Sequence, residues 1–467
     1  MSTAKHPLIS ISLLIVLLLL IFGLRTFSAA GFLGESTFST IRFAEAIREQ
    51  GIISYDNLSY GGRAFTEELG TPLLLTPHPH LLATILPFFL GLATLFLFTL
   101  ILNKTAPHLT LSASLLLILN PSFLFLFSSM TKHAVVITLL LLSFYLYLHK
   151  KILSSLLTLL FLPAFSIAGT LFTLVLALFL LRTKKITKIF FFTLSIINIT
   201  LLLILYPYLT TTFPELPRFT TASFGIAFLQ HNFLSEFGAA FGLSSFILIL
   251  SILGIYAQWN KHYTYLLILL FILPLILAAV AAFPFLLLYL SFFLALLSAH
   301  GLHWLSHRAW RNTILRNMTL LILSCGIIFS PLAYLSNIQQ LQPTPATTEA
   351  ITYLQSLSGE DVALSSPNNG VFLAYAGKRN VMDTSYLYAP HLNERWDDLQ
   401  RLYHTTSVEE AITILKKYDV TYIYLDKKMK QETWPTEESE LLFLLKYSPK
   451  LFGKIYQNSE VEIYLVY

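Results

Sequence analysis

Residues 81–103 read LLATILPFFLGLATLFLFTLILN, an apolar run without a single charged side chain. The hydrocarbon core of a bilayer is about 30 Å thick and needs about 20 apolar residues as helix. This run meets that need, and the same composition recurs along the chain. Comparable stretches lie at 8–28, 109–128, 134–149, 152–168, 170–181, 189–206, 239–258, 263–281, 284–300 and 317–337. Together they predict about eleven spans. The two stretches within 152–181 are short and are expected to be half-spanning or re-entrant, an arrangement that requires surrounding protein.

The composition of the whole chain agrees. Of 467 residues, 55% are hydrophobic and only 12% are charged, and the mean hydropathy is +0.68. Soluble domains carry about 25% charged residues. The net charge of +5 is no nucleic-acid footprint, because the basic residues sit in short clusters between apolar runs. That is the positive-inside pattern. With the N-terminus inside, the inner loops collect Lys104, Lys150, Lys151, Arg182, Lys184, Lys185, Lys188, Lys261, Arg308, Arg311 and Arg316. The short outer loops carry little beyond Lys132 and Arg218. This asymmetry predicts a multi-pass protein of the cell membrane with a cytoplasmic N-terminus. It puts the loop 29–80, the loop 207–238 and the tail from about 338 outside. The first run follows Lys5 and exceeds a usual signal-peptide core, so the chain is expected to keep it. Cys325 is the only cysteine, which excludes an internal disulfide and predicts a small buried hydrophobe.

Residues 338–467 have soluble composition and predict a separate α/β domain. Helices are expected over Ala346–Leu357, Val371–Tyr375, Asn393–Tyr403, Val408–Tyr418 and Glu437–Tyr447. Strands are expected over Val362–Ser365, Asn380–Asp383 and Val420–Leu425, with a closing hairpin. The alternation predicts a mainly parallel sheet. The complementary unit, 1–337, is expected to be the membrane domain with 29–80 as its first outer loop.

That loop carries the chemistry. It reads GESTFSTIRFAEAIREQG and then SYDNLSYGGRAF. Ser36 or Ser39 is expected to cap a helix running to Glu49 and ended by Gly51. Glu35 stands at its start, and Phe38, Arg42 and Glu45 share a face. Gly61-Gly62 forms a turn that presents Arg63. Asn57-Leu58-Ser59 is a formal glycosylation triplet.

Glu35, Phe38, Arg42, Gly51, Asp56 and Gly62-Arg63 resemble the first outer loop of the GT-C glycosyltransferase superfamily, in its oligosaccharyltransferase-like branch. The resemblance implies a bundle with a long first outer loop and an outer C-terminal domain. It also implies transfer of a sugar from a polyprenyl-phosphate-linked donor to a protein or glycan acceptor. Such a transfer needs a carboxylate to take the acceptor proton and cations for the departing phosphate. Glu35 is then the base or a metal ligand, with Asp56 beside it as a second catalytic acid. Arg63, Lys132, His133 and Arg218 are the cations for the donor phosphate, and Arg42 and Glu236 are assigned to the acceptor. Glu236 closes Phe233-Leu234-Ser235-Glu236, similar to the Ser/Thr-x-x-Glu motif of the branch. A divalent metal such as Mg or Mn stays open, through Glu35 and a histidine such as His78 or His80, although no HExxH spacing is present. In the tail, Arg379 and Asp383 keep an Arg-x-x-x-Asp pattern. Ser366-Pro367-Asn368-Asn369-Gly370 keeps only the glycine of WWDYG, which points to a single sugar or a different acceptor.

Two other classes compete. A lipid or polysaccharide transporter or flippase should carry ionisable residues within its spans, and these spans are almost free of them. An inactive relative that scaffolds envelope assembly is the other.

Overall fold

The structure is a computed structural model. It describes residues 32, 34–167, 169–170, 196–201, 203–205, 233–237, 239, 242–259, 285–337, 342–386, 388–434, 436 and 439–467. The expected spans 8–28 and 263–281, most of 170–181, half of 189–206, and Arg218 lie outside these residues. The described chain divides into two units. One holds residues of 80–202 and 222–342, and the other joins 34–79 to 343–467.

The first unit is helical. Among the described residues three helices are long and apolar enough to cross a membrane: Pro79–Thr105, Leu286–His307 and Thr313–Asn337. The run expected as one span over 109–128 is instead two helices, Pro107–Ile118 and Pro121–Ser128, bent by 64°. The cause is local. Asn120 is extended and its side chain accepts from the Ser122 N–H, while Pro121 opens the second helix. A proline fits the first turn of a helix and cannot continue the preceding one. The Lys132–Leu148 helix begins at Thr131, whose hydroxyl accepts from the Ala134 N–H.

Burial of apolar surface does not drive helices together inside lipid, so packing detail decides. The helices meet through hydroxyl pairs: Thr94 with Thr138 at 2.7 Å, Thr99 with Ser114 at 3.1 Å, Ser143 with Ser155 at 2.8 Å and Ser244 with Ser330 at 2.7 Å. Phe123 packs on Phe127 and Phe292 in the buried core of the described helices. Cys325, expected to be buried, is exposed. It shares its helix with exposed Leu321, Ile322, Ile328 and Phe329, an apolar face that suits lipid contact.

The second unit contains both sheets. A two-stranded ribbon pairs β1 (Tyr55–Asp56) antiparallel with β2 (Arg63–Ala64). The larger sheet comprises β3 (Val362–Leu364), β4 (Arg379–Asn380), β5 (Val420–Asp426), β6 (Phe452–Gln457) and β7 (Val461–Val466), in the order β4-β3-β5-β7-β6. β3 runs parallel to β4 and β5, but β7 is antiparallel to β5 and β6. The sheet is therefore mixed, not mainly parallel. The closing hairpin returns β7 directly beside β5, and a hairpin can only make antiparallel pairs. β4 is shorter than expected, because Val381–Asp383 leave the sheet. The helices Pro345–Ser356, Gly370–Tyr375, Leu392–His404, Val408–Lys417 and Glu440–Tyr447 fall near their expected places. One more, Lys427–Thr433, was not anticipated and is capped by the Asp426 carboxylate.

Gly254 and Gly301 mark a close helix approach in the membrane unit. A Cβ on Gly254 would lie 1.9 Å from the Leu297 carbonyl oxygen, and one on Gly301 would lie 2.0 Å from that of Leu250. Only backbone meets them, so no side chain can yield. Gly254→Val and Gly301→Val are each expected to lower the thermal midpoint of the detergent-solubilised protein by about 5 °C or more. An unchanged midpoint in both would refute the contact.

Candidate active site

The loop 34–79 is held in the same unit as the C-terminal residues. The Glu35–Gln50 helix has Gly34 at its N-cap and no side-chain cap, and it ends at Gly51. Neither Ser36 nor Ser39 caps it, because both lie within the helix. Glu35 therefore occupies the first turn, where the exposed N–H groups favour a carboxylate. Its Oε2 accepts a hydrogen bond of 2.8 Å from the Thr384 hydroxyl. Burial raises the proton affinity of Glu35 and the Asp383 charge adds to this, against lowering by Thr384 and Lys428. The balance lies above an ordinary glutamate.

Arg42 lies on the same helix. Its two terminal nitrogens donate to the two oxygens of Asp56 at 2.7 and 2.8 Å. Asp56 Oδ1 also accepts from the Leu58 N–H at 3.1 Å. Burial alone would raise the Asp56 carboxyl, but Arg42, Leu58 and the Arg63 charge hold it below its usual range. Such a forked pair is rigid and strong. It ties the helix to β1 and leaves Asp56 a poor proton acceptor.

Beyond β1 the chain turns through Tyr60-Gly61-Gly62. Tyr60 has φ 55°, a left-handed conformation that costs a bulky residue about 1–3 kcal/mol. Contacts on every side impose it. The Tyr60 N–H donates to Asn380 Oδ1 at 2.9 Å and its hydroxyl donates to the Asp383 carbonyl at 2.8 Å. Ser59 Oγ donates to Asp383 Oδ2 at 2.5 Å, and the Asn380 N–H donates to the Leu58 carbonyl at 2.7 Å. Gly62 is favoured by its φ of 124°; a Cβ there would also displace the exposed Tyr55 ring, whose hydroxyl would lie 2.5 Å away. Arg63 is not presented outward. Its guanidinium is buried, donates to the Ser385 carbonyl at 2.8 Å and lies over the Tyr60 ring.

The structure thus brings Glu35, Arg42, Asp56 and Arg63 into one unit with Asp383, Thr384 and Ser385. Sequence reading did not foresee the last two contacts. The only signal was their adjacency to the Arg379-x-x-x-Asp383 pattern. Arg379 and Asp383 do not pair with each other: Arg379 meets Glu360 at 3.0 Å, whereas Asp383 accepts from Ser59, Asn380 and the Ser385 N–H.

The remaining assigned residues belong to the membrane unit. His133 is buried, stacked on Phe285 and bonded through Nδ1 to the Tyr289 hydroxyl at 3.0 Å. Lys132 stands in the first turn of the same helix. Glu236 accepts from the Ser245 N–H at 3.0 Å and from the Ser330 hydroxyl, so it secures the start of the Ser245–Trp259 helix. Among the described residues no three His, Cys, Asp or Glu side chains are placed to hold one metal ion. The acid nearest in charge to Glu35 is Asp383, whose oxygens already accept three hydrogen bonds.

No protein-family model and no curated protein matches the chain. Solved structures do. The apo oligosaccharyltransferase of Archaeoglobus fulgidus superposes with a TM-score of 0.57 at 11% identity, over 100% of this chain and 75% of its own. The archaeal oligosaccharyltransferase AglB from Archaeoglobus fulgidus, in complex with an inhibitory peptide and a dolichol-phosphate, gives 0.55 at 11% identity over 95% and 73%. The mycobacterial arabinofuranosyltransferase AftD gives 0.57 at 13% identity over 97% of this chain and 41% of that one. The chain shares the overall fold of these membrane proteins, and its three long apolar helices agree with a membrane location. The likeness to the two archaeal structures runs over 95–100% of this chain and so takes in the C-terminal α/β region.

Breaking a buried ion pair costs about 3–5 kcal/mol, because the surviving charge is left unpaired. Arg42→Met and Asp56→Asn are each expected to destabilise the protein by that order in denaturant unfolding. The double variant Arg42→Met/Asp56→Leu should recover most of the loss. The pH dependence has a defined sign. The Asp56 carboxyl titrates lower when folded, so its stabilisation is complete above the ordinary aspartate value and disappears as pH falls through the lower, folded one. Asp56→Asn should flatten that acid limb.

Proposed function

We propose that this chain is a membrane glycosyltransferase that moves a sugar from a polyprenyl-phosphate-linked donor to a protein or glycan acceptor at the outer face of the cell membrane. The observation that carries the reading is the Glu35 carboxyl. It is partly buried at a helix start, oriented by Thr384 and raised in proton affinity, within a chain of GT-C fold. A general base works best when its pKa approaches the working pH, and burial moves Glu35 in that direction.

In the proposed reaction an acceptor O–H or N–H attacks the anomeric carbon. The bond from that carbon to the phosphate oxygen breaks, polyprenyl phosphate leaves, and the acceptor proton passes to Glu35. Asp56 and Arg42 act together as a brace for the loop, and Arg63 as a brace for the backbone at Ser385. Lys132 and Arg218 are the cations assigned to the donor phosphate. His133 and Glu236 are assigned to holding the membrane unit.

Purified protein in lipid should transfer label from radiolabelled polyprenyl-phosphate sugars. Glu35→Gln should lower the rate by about 10²–10⁴ with donor binding retained. Transfer unchanged in Glu35→Gln removes the base assignment. No turnover of any donor by the unmodified protein favours the scaffold or transporter readings.

A further inference from the structure

A second cluster of ionisable side chains lies in the membrane unit. The Pro79–Thr105 and Lys132–Leu148 helices finish side by side, because Lys104 Nζ donates to the Leu148 carbonyl at 2.5 Å. His108 follows in the next turn. Its ring lies 5.5 Å from His303 and 6.3 Å from His300. His303 in turn lies 4.2 Å from His307 on the last turns of the Leu286–His307 helix. The Arg308 guanidinium covers the Trp304 ring at 5.1 Å. The Trp310 indole N–H donates to the Leu305 carbonyl at 3.0 Å, which closes the turn that carries Arg308 and Arg311. His108, His303, His307 and Arg308 are exposed.

The membrane unit itself is almost free of carboxylates. No Asp or Glu occurs from Leu69 to Pro214 or from Phe237 to Thr348. Of the two acids between those stretches, Glu236 is committed to Ser245 and Ser330, and Glu215 lies outside the described residues. The helix ends at Thr105, Leu148 and His307 offer about half a negative charge each. That is less than the formal charge of Lys104, Lys150, Lys151, Arg308 and Arg311 in the same turns. The imidazoles are not placed to share one metal ion. They are separate N–H donors flanked by a guanidinium and two indoles, and indoles concentrate at the headgroup level of a bilayer.

We propose that His108, His303, His307 and Arg308 form a binding site for the phosphate of an anionic phospholipid headgroup. His307 Nδ1 lies 2.8 Å from the His303 carbonyl oxygen, so His307 offers its Nε2, and together with the His108 and His303 imidazoles and the Arg308 guanidinium it donates to the phosphate oxygens. Trp304 holds Arg308 in place by stacking. The inference is independent of sugar transfer.

The test uses full-length protein, delipidated in detergent and titrated with phosphatidylglycerol or phosphatidylcholine under native mass spectrometry. Phosphatidylglycerol should be retained about fivefold or more over phosphatidylcholine, the preference one well-placed cation confers. His303→Asn/His307→Asn, and separately Arg308→Gln, should bring that ratio close to one. Arg308 is exposed, so its variant tests the site even if the histidine pair destabilises the fold. Lys150→Gln/Lys151→Gln should leave the preference in place. An equal loss in the lysine variant would reduce the effect to a diffuse positive field and overturn the site. Full preference in the histidine and arginine variants would overturn it too, as would no preference in the unmodified protein. Uptake of added Zn²⁺ by these histidines without change in lipid retention would assign the cluster to metal instead.

Discussion

The Asp383 carboxylate is the constraint on which the second unit depends. It is nearly inaccessible to water, and a buried carboxylate is tolerated only when its lone pairs are satisfied. Ser59 Oγ, Asn380 Nδ2 and the Ser385 N–H do so. The same three partners define how the loop meets the C-terminal domain. Ser59 fixes the turn, Asn380 fixes Tyr60, and Ser385 lends its carbonyl to Arg63. The left-handed Tyr60 persists because these bonds outweigh its strain. Thr384 stands between Asp383 and Ser385, so the orientation of Glu35 follows from the same few residues.

The two units are stabilised by different means. In the membrane unit the polar contacts are short hydroxyl pairs and glycine-mediated backbone approach, with carboxylates almost absent. In the second unit the polar contacts are ionic and branched, as in Arg42–Asp56 and in Lys378, which donates to the Leu357 and Gly359 carbonyls while buried. Hydroxyl pairs suit a medium where charge is costly. Forked ion pairs suit a loop with too little apolar area to pack by itself.

Much of this was legible in the chain. Apolar length marked the membrane helices, and caps such as Thr344 and Ser407 stand where composition placed the starts of tail helices. Asn120-Pro121 was visible too, but apolar content masked its effect, and one span was expected where the chain bends. Strand direction was not legible: β-branched runs look alike in parallel and antiparallel pairs, and only the position of the hairpin decides. The loop misled in one instructive way. Gly61-Gly62-Arg63 reads as a turn offering an arginine, but the guanidinium turns inward to a carbonyl far along the chain. Local pattern reveals a turn, whereas long-range partners decide what it presents. The same limit applies to Asp56 and Glu236, whose partners come from other elements.

Ser59 and Asp383 are separated by 324 positions, and translation runs at about 5–20 residues per second. The loop therefore emerges on the order of half a minute before the residues that shape it. During that interval the helices between them must insert, while the loop waits with Arg42 and Asp56 as its main internal bond. Glu35 acquires Thr384 only when synthesis is nearly complete. A chain that stops short of residue 384 carries the carboxylate without its partner, so the candidate site matures with the end of the polypeptide.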